Sequence, residues 1–165
     1  MNNEQLTKNF KLSEFLKTNH KIELKPNSDV ILNLRLLCVY VLQPLRDEIE
    51  QPIIITSGWR SKELNRIVNG SNSSQHLTGY AADFVCDNLT EAYQYIRRNL
   101  DYDELILYVT DNLKPQFIHV SHVTGRNDKE PMICKKCGQK QEFFMYNRRL
   151  FSLIENNENQ KTTVK

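Results

Sequence analysis

From Val30 to about Glu50, Ile31, Leu34, Leu37, Cys38, Val41, Leu42 and Leu45 recur at helical spacing. A helix with so long an apolar stripe needs a second layer to bury it. Pro26-Asn27-Ser28-Asp29 reads as its start, and Pro44 lies inside it, where a missing N–H and a bulky ring kink or locally break a helix. Upstream, Asn9 to Leu16 has apolar residues three and four apart and reads as a short amphipathic helix, with Ser13 as a local cap.

The second layer is expected from the β-branched and alternating runs that follow. Pro52 to Ser57 reads as a buried strand ended by Gly58, and Ala81 to Cys86, Glu104 to Val109 and Gln116 to Val123 read as further strands. Ser61 to Val68 is expected as a short helix, and Thr90 to Leu100 as another with Thr90 at its N-cap. Asn69 to Ser74 has turn chemistry. Glu142 to Ile154 has helix or strand character, and Glu155 to Lys165 reads as disordered. The expected class is α+β, with N-terminal helices packed on a small, mostly antiparallel sheet. Residues 1–124 are expected to form the functional domain and 125–165 a basic C-terminal extension.

A length of 165 residues suits one domain, and 39% hydrophobic with 25% charged residues is an ordinary globular balance. The net charge of +2 gives no ground for a nucleic-acid partner. Residues from Lys129 onward carry a net +4, read as a solvated end. No apolar run approaches the roughly 20 residues of a membrane span, so no stable membrane association is expected. The Met1-Asn2-Asn3-Glu4-Gln5 start has no basic, apolar leader pattern, so synthesis in a cytoplasm without a signal peptide is the expectation. Cys38 and Cys86 read as core packing, and Cys134 and Cys137 form a Cys-x-x-Cys, all expected to be reduced.

The strongest local signal is Ser74-Gln75-His76-Leu77-Thr78-Gly79-Tyr80-Ala81-Ala82-Asp83. His76 and Asp83 can face one point if the chain folds back, and Gly79 permits the turn. Alone, this spacing is weak. Ile118-His119-Val120-Ser121-His122 adds a strand histidine that can project onto one sheet face. His119 and His122 are three apart, so only one of them should reach a common site. Thr56-Ser57-Gly58-Trp59-Arg60-Ser61 runs a strand into a turn that presents Arg60, a side chain able to hold a carboxylate bidentately. Two histidines and one aspartate make a ligand set for catalytic zinc, which leaves a fourth position open and lowers the pKa of a bound water to about 7.

With these motifs in order, the chain resembles the zinc D-Ala-D-Ala carboxypeptidases and phage endolysin peptidases of the M15 type, specifically a small phage-borne subgroup. The resemblance runs from about Asn9 to about Val123. It is carried by Asn9 to Phe15, Leu42-Gln43-Pro44-Leu45-Arg46, Ile55 to Ser61, Leu64-Asn65, Ser74 to Asp83, Asp103-Glu104-Leu105-Ile106 and Ile118-His119-Val120-Ser121. It implies that His76, Asp83 and His119 hold one zinc ion, and that Arg60 and Ser74 contact substrate or steady the site. It further implies hydrolysis of a peptide bond in peptidoglycan stem peptides, by a D,D-carboxypeptidase or an endolysin-type endopeptidase acting on the wall after release.

The sequence departs from the family where a general base is usual. Gln116 stands three before His119 and cannot take a proton, and Tyr108 ends the strand where some relatives carry Glu. Glu104 and His122 remain as candidate catalytic bases beside Arg60. These departures motivate an alternative, a non-catalytic zinc-containing module that grips cell wall or protein. Cys134 and Cys137 resemble half a zinc knuckle; lacking a second cysteine pair, they are read as metal-free.

Overall fold

The computed structural model describes residues 4–126, 128–137 and 140–159. Helix α1 (Leu12–Phe15) is one turn, shorter than the periodicity predicts. Lys11, not Ser13, is its N-cap residue, and Glu14 accepts from the Lys11 backbone N–H at 2.7 Å. The long apolar pattern becomes α2 (Ser28–Leu37), a π-helical stretch over Cys38–Leu42, and α3 (Gln43–Ile49). Asn27 caps α2 by accepting from the Val30 N–H at 3.0 Å. Pro44 explains the π stretch: it sits in the first turn of α3 and has no N–H to donate, and Gln43 donates five residues back, to the Cys38 carbonyl.

The strands are β1 (Ile54–Ser57), β2 (Ala81–Val85), β3 (Glu104–Thr110), β4 (Pro115–Ser121), β5 (Glu130–Cys137) and β6 (Lys140–Met145). They form one sheet in the order β1-β2-β4-β3-β5-β6. The sheet is mixed, which corrects the mostly antiparallel expectation: β5 runs parallel to β3. Consecutive β4 and β5 do not pair; the chain crosses beyond β3 before returning to the sheet. β1 is an edge strand with Ile54 59% exposed, so it is not the fully buried strand predicted. Helices α4 (Lys62–Ile67) and α5 (Leu89–Asn99) connect strands. Ser61 caps α4 and Asn88, not Thr90, caps α5; Asn88 accepts from the Glu91 N–H.

Residues beyond 124 add β5, β6 and α6 (Arg148–Asn159) to this same sheet and core. Ile133, Phe151 and Ile154 join the main hydrophobic cluster. Glu158 caps α5 from α6, accepting from the Leu89 and Thr90 N–H groups at 3.0 and 2.9 Å. Glu155–Asn159, expected to be disordered, are the last residues of α6; residues 160–165 of that expectation lie outside the described residues.

Alternation along the strands gives the sheet two unlike faces. Ile55, Ala82, Phe84, Leu105, Leu107, Ile118 and Val120 are buried in the cluster that contains the helices' Leu34, Leu37, Val41, Leu42, Leu45, Tyr93 and Ile96. By length and composition, Ser28–Ile49 would suffice to cross a membrane, contrary to the sequence expectation. Its apolar stripe is instead spent on this core: Leu34, Leu37, Cys38, Val41, Leu42 and Leu45 are fully buried. The residues between the core positions, among them Asp83, Glu104, Ile106, Tyr108, Phe117 and His119, line a cleft on the opposite face.

Candidate metal centre

Two glycines let the loops of this cleft close. At Gly58 an added Cβ would overlap the backbone of Phe15, so the turn after β1 fits against α1 only without a side chain. Trp59 donates its backbone N–H to the Phe15 carbonyl at 3.0 Å, and its indole N–H to the Leu77 carbonyl at 3.1 Å. The Arg60 N–H reaches the His76 carbonyl at 3.1 Å. These bonds fasten the turn to a 3-10 segment, Gln75–Thr78, that carries His76. Gly79 ends that segment at φ 79°, a left-handed conformation that lets the chain double back into β2 and Asp83. Asn65 holds the preceding loop, its amide donating to the Gly70 and Ser71 carbonyls at 3.1 and 2.9 Å.

Antiparallel pairing of β2 with β4 sets Asp83 directly opposite His119. The result is a triangle of donor atoms. His76 Nε2 lies 3.2 Å from Asp83 Oδ1 and 3.3 Å from His119 Nδ1, and His119 Nδ1 lies 2.8 Å from Asp83 Oδ1. Tetrahedral zinc with bonds of about 2.0–2.1 Å separates its ligand atoms by roughly 3.3 Å. The three atoms therefore fit one face of such a site, and the cluster could hold a metal ion.

The far nitrogens fit as well. His76 Nδ1 donates to the Gly58 carbonyl at 2.7 Å, which turns the lone pair of neutral Nε2 toward the triangle. His119 Nε2 lies 3.6 Å from Glu104 Oε2. Carbonyl and carboxylate partners on the outer nitrogen are how metal-ligating histidines are commonly oriented. Arg60 donates to Asp83 Oδ2 at 2.9 Å, leaving Oδ1 for the centre, and also donates to Ser57 Oγ at 3.0 and 2.8 Å.

Burial pushes the His76 imidazole below its usual range. Burial also opposes ionisation of Asp83, but the adjacent imidazoles outweigh it and hold its carboxyl well below the usual carboxylate range. For His119, burial disfavours the cation, yet the hydrogen bond to Asp83 and the nearby Glu104 carboxylate raise its pKa to about 9. In return, the neighbouring His119 lowers that of Glu104.

Stability should follow. A histidine whose pKa is raised by folding contributes fully below the unfolded value of about 6.5 and loses that contribution as pH rises through the folded value. The metal-free protein should thus lose thermal stability from about pH 6.5 to about pH 9. A metal ion bound there would replace the His119 proton, so the metal-loaded protein should not show that decline. Unfolding temperatures with and without chelator across this window would show it. A chelator-treated protein equally stable at both ends would contradict the assignment.

Of the other residues singled out by sequence, Ser74 lies at the cleft and precedes the His76 segment. His122 is not brought to the centre. It stacks on Tyr40 with ring centroids 4.8 Å apart, and its Nδ1 meets the Asp101 carbonyl at 3.0 Å. Its three-residue offset from His119 points it to the other side, as strand alternation demands. Gln116 is exposed and bonds to the adjacent Pro115 carbonyl. Tyr108 stacks on Phe117 at 4.3 Å in the cleft wall. Cys134 is buried with a free thiol and lies with Cys137 on β5.

A family model described as Peptidase M15 matches residues 8–121. This chain belongs to the M15 peptidase family. No curated protein matches it. The matched span contains all three triangle residues and ends with β4, so β5, β6 and α6 lie beyond it. Sequence reasoning missed Ser57 and the Gly58 carbonyl as supports of the centre. A backbone carbonyl leaves no mark on residue identity. Ser57 could have been suspected from its place three residues before Arg60.

Proposed function

We propose that this M15 family member is a zinc-dependent peptidase that hydrolyses a peptide bond in peptidoglycan stem peptides, as a D,D-carboxypeptidase or an endolysin-type endopeptidase. The observation that carries the reading is the triangle of His76 Nε2, Asp83 Oδ1 and His119 Nδ1 at the cleft, with the outer nitrogen of His76 bonded to the Gly58 carbonyl and that of His119 near Glu104. Zinc bound there would polarise the scissile carbonyl and make a water nucleophilic near neutral pH. The chain's own residues do the rest. Arg60 fixes Asp83 and neutralises part of its charge. Ser74 lies at the cleft beside the peptide's path. Glu104 orients His119 and, 36% exposed at the cleft, is the carboxylate best placed to take a proton from the attacking water. We place the protein's synthesis in the cytoplasm and its action at the wall on release, as a phage lysin would act.

Release of D-Ala from a stem pentapeptide, and of peptides from intact walls, tests the reading. Zinc-loaded protein that leaves both substrates uncut would overturn it. Glu104→Gln separates the two roles of that residue. Loss of an outer partner should weaken zinc about 10–100-fold. At saturating zinc, a further fall of about 10²–10⁴-fold in kcat would mark a proton-transfer role. A variant matching wild type in both measurements would remove Glu104 from the mechanism.

A second reading is a non-catalytic zinc-containing module that binds cell wall or protein. It draws on Gln116 facing solvent and His122 lying away from the triangle, which leave Glu104 as the one candidate base at the centre. Tight muropeptide binding without turnover would favour it.

A further inference from the structure

The cleft of about 770 Å³ extends past the triangle onto β5 and β6, beyond the family-matched residues. Tyr108 and Phe117 face each other across β3 and β4, one row along from Ile106 and His119. Two residues of strand make that step roughly 7 Å. Phe143 of β6 meets the Tyr108 ring edge-on, with centroids 6.3 Å apart. Over this platform stands Lys136 of β5, its Nζ 5.1 Å from the Tyr108 centroid and 4.9 Å from that of Phe117.

Lys136 has no carboxylate partner within ion-pair distance among the described residues. Arg60, the cation beside the triangle, is already engaged by Asp83 and Ser57. Two aromatic faces hold an ammonium in place and remove part of its water, so an arriving anion has less left to displace. The step from His119 to the platform equals about two extended residues of a peptide.

We propose that Lys136 is a substrate-specificity residue that binds a carboxylate of the peptide, about two residues from the bond under attack. This rests on the peptidase reading above. The β5–β6 hairpin then supplies the specificity wall, while the Gln75–Thr78 segment, β2 and β4 supply the metal ligands. The carboxylate belongs either to a side chain or, where the bond cut lies two residues from the end, to the peptide's C-terminus.

The test uses the full zinc-loaded chain with a stem pentapeptide ending in D-Ala-D-Ala, in four forms: free acid, C-terminal amide, side-chain carboxylates amidated, and both amidated. Lys136→Met should raise KM about 10–100-fold for peptides carrying the recognised carboxylate. Its kcat should stay within about twofold, the signature of lost ground-state binding. Amidating the recognised carboxylate should impose the same loss on wild type, and which amide does so identifies the source. Lys136→Arg should keep most of the affinity. An unchanged KM in Lys136→Met, or an equal rise for the fully amidated peptide, overturns the proposal. If wild type cuts neither these peptides nor intact walls, the peptidase reading fails on its own; wherever these peptides stay uncut, calorimetric Kd values for them replace KM. A Kd with no Lys136 dependence, or no binding at all, overturns the present inference too.

Discussion

His76→Ala should leave the chain without zinc after dialysis and lower peptide hydrolysis on the order of 10³-fold or more, since a metal supplies several kcal/mol to this kind of transition state. The imidazole provides one corner of the triangle, at 3.2 Å from Asp83 and 3.3 Å from His119. Two remaining ligands do not make a zinc site. The substitution also removes the neutral neighbour of a buried carboxylate, and leaves Asp83 paired with Arg60 and the protonated His119. Salt-bridge geometry therefore survives while metal affinity is lost. The fold should persist, so chelator-treated wild type is the proper reference for stability. Elemental analysis and a D-Ala release assay on both proteins measure the effect. One zinc per chain retained by the variant would place the metal elsewhere and remove the basis of the proposed function.

The second large effect lies one residue beyond Asp83. Phe84 is fully buried on the core face of β2, registered with Ile55 on β1 and Ile118 on β4. Truncating a buried phenylalanine removes its transfer free energy and leaves a cavity, together about 3–5 kcal/mol. For a domain of this size each kcal/mol lowers Tm by about 2–4 °C, so Phe84→Ala should lose roughly 6–20 °C. Ile54→Ala, on the neighbouring edge strand and 59% exposed, should change stability by no more than about 0.5 kcal/mol. Thermal unfolding of both variants without zinc makes the comparison. Equal losses would mean that β1 and β2 are not buried on the faces described. With zinc present, part of the Phe84→Ala deficit should be recovered, because metal binds the folded chain and opposes its unfolding.

Much of this was legible from residue order. The stripe from Ile31 to Leu45 marked the core helix, and the runs Ala81 to Cys86 and Gln116 to Val123 marked, within one or two residues, the strands that carry Asp83 and His119. Strand periodicity also separated His119 from His122, because a three-residue step crosses the sheet. Local capping was less readable. Asn88 and Thr90 are both good cap residues, and the choice fell to the one whose side chain reaches the Glu91 N–H.

By itself the sequence determined the family, the α+β class and the residue types of the candidate metal centre, because motif chemistry and hydrophobic period are local properties. Tertiary structure alone decided that β5 lies parallel to β3, since a crossing past a strand leaves no local trace in residue order. Pairing across β2 and β4 set Asp83 against His119, and the bonds of the Gln75–Thr78 segment to the turn after β1 brought in His76, 43 residues from His119. The same long-range pairing engaged Arg60 with Asp83, left His122 against Tyr40, and brought Lys136 over rings from two other strands. Contacts of that kind form only when the sheet closes, and so belong to the fold rather than to any segment of the chain.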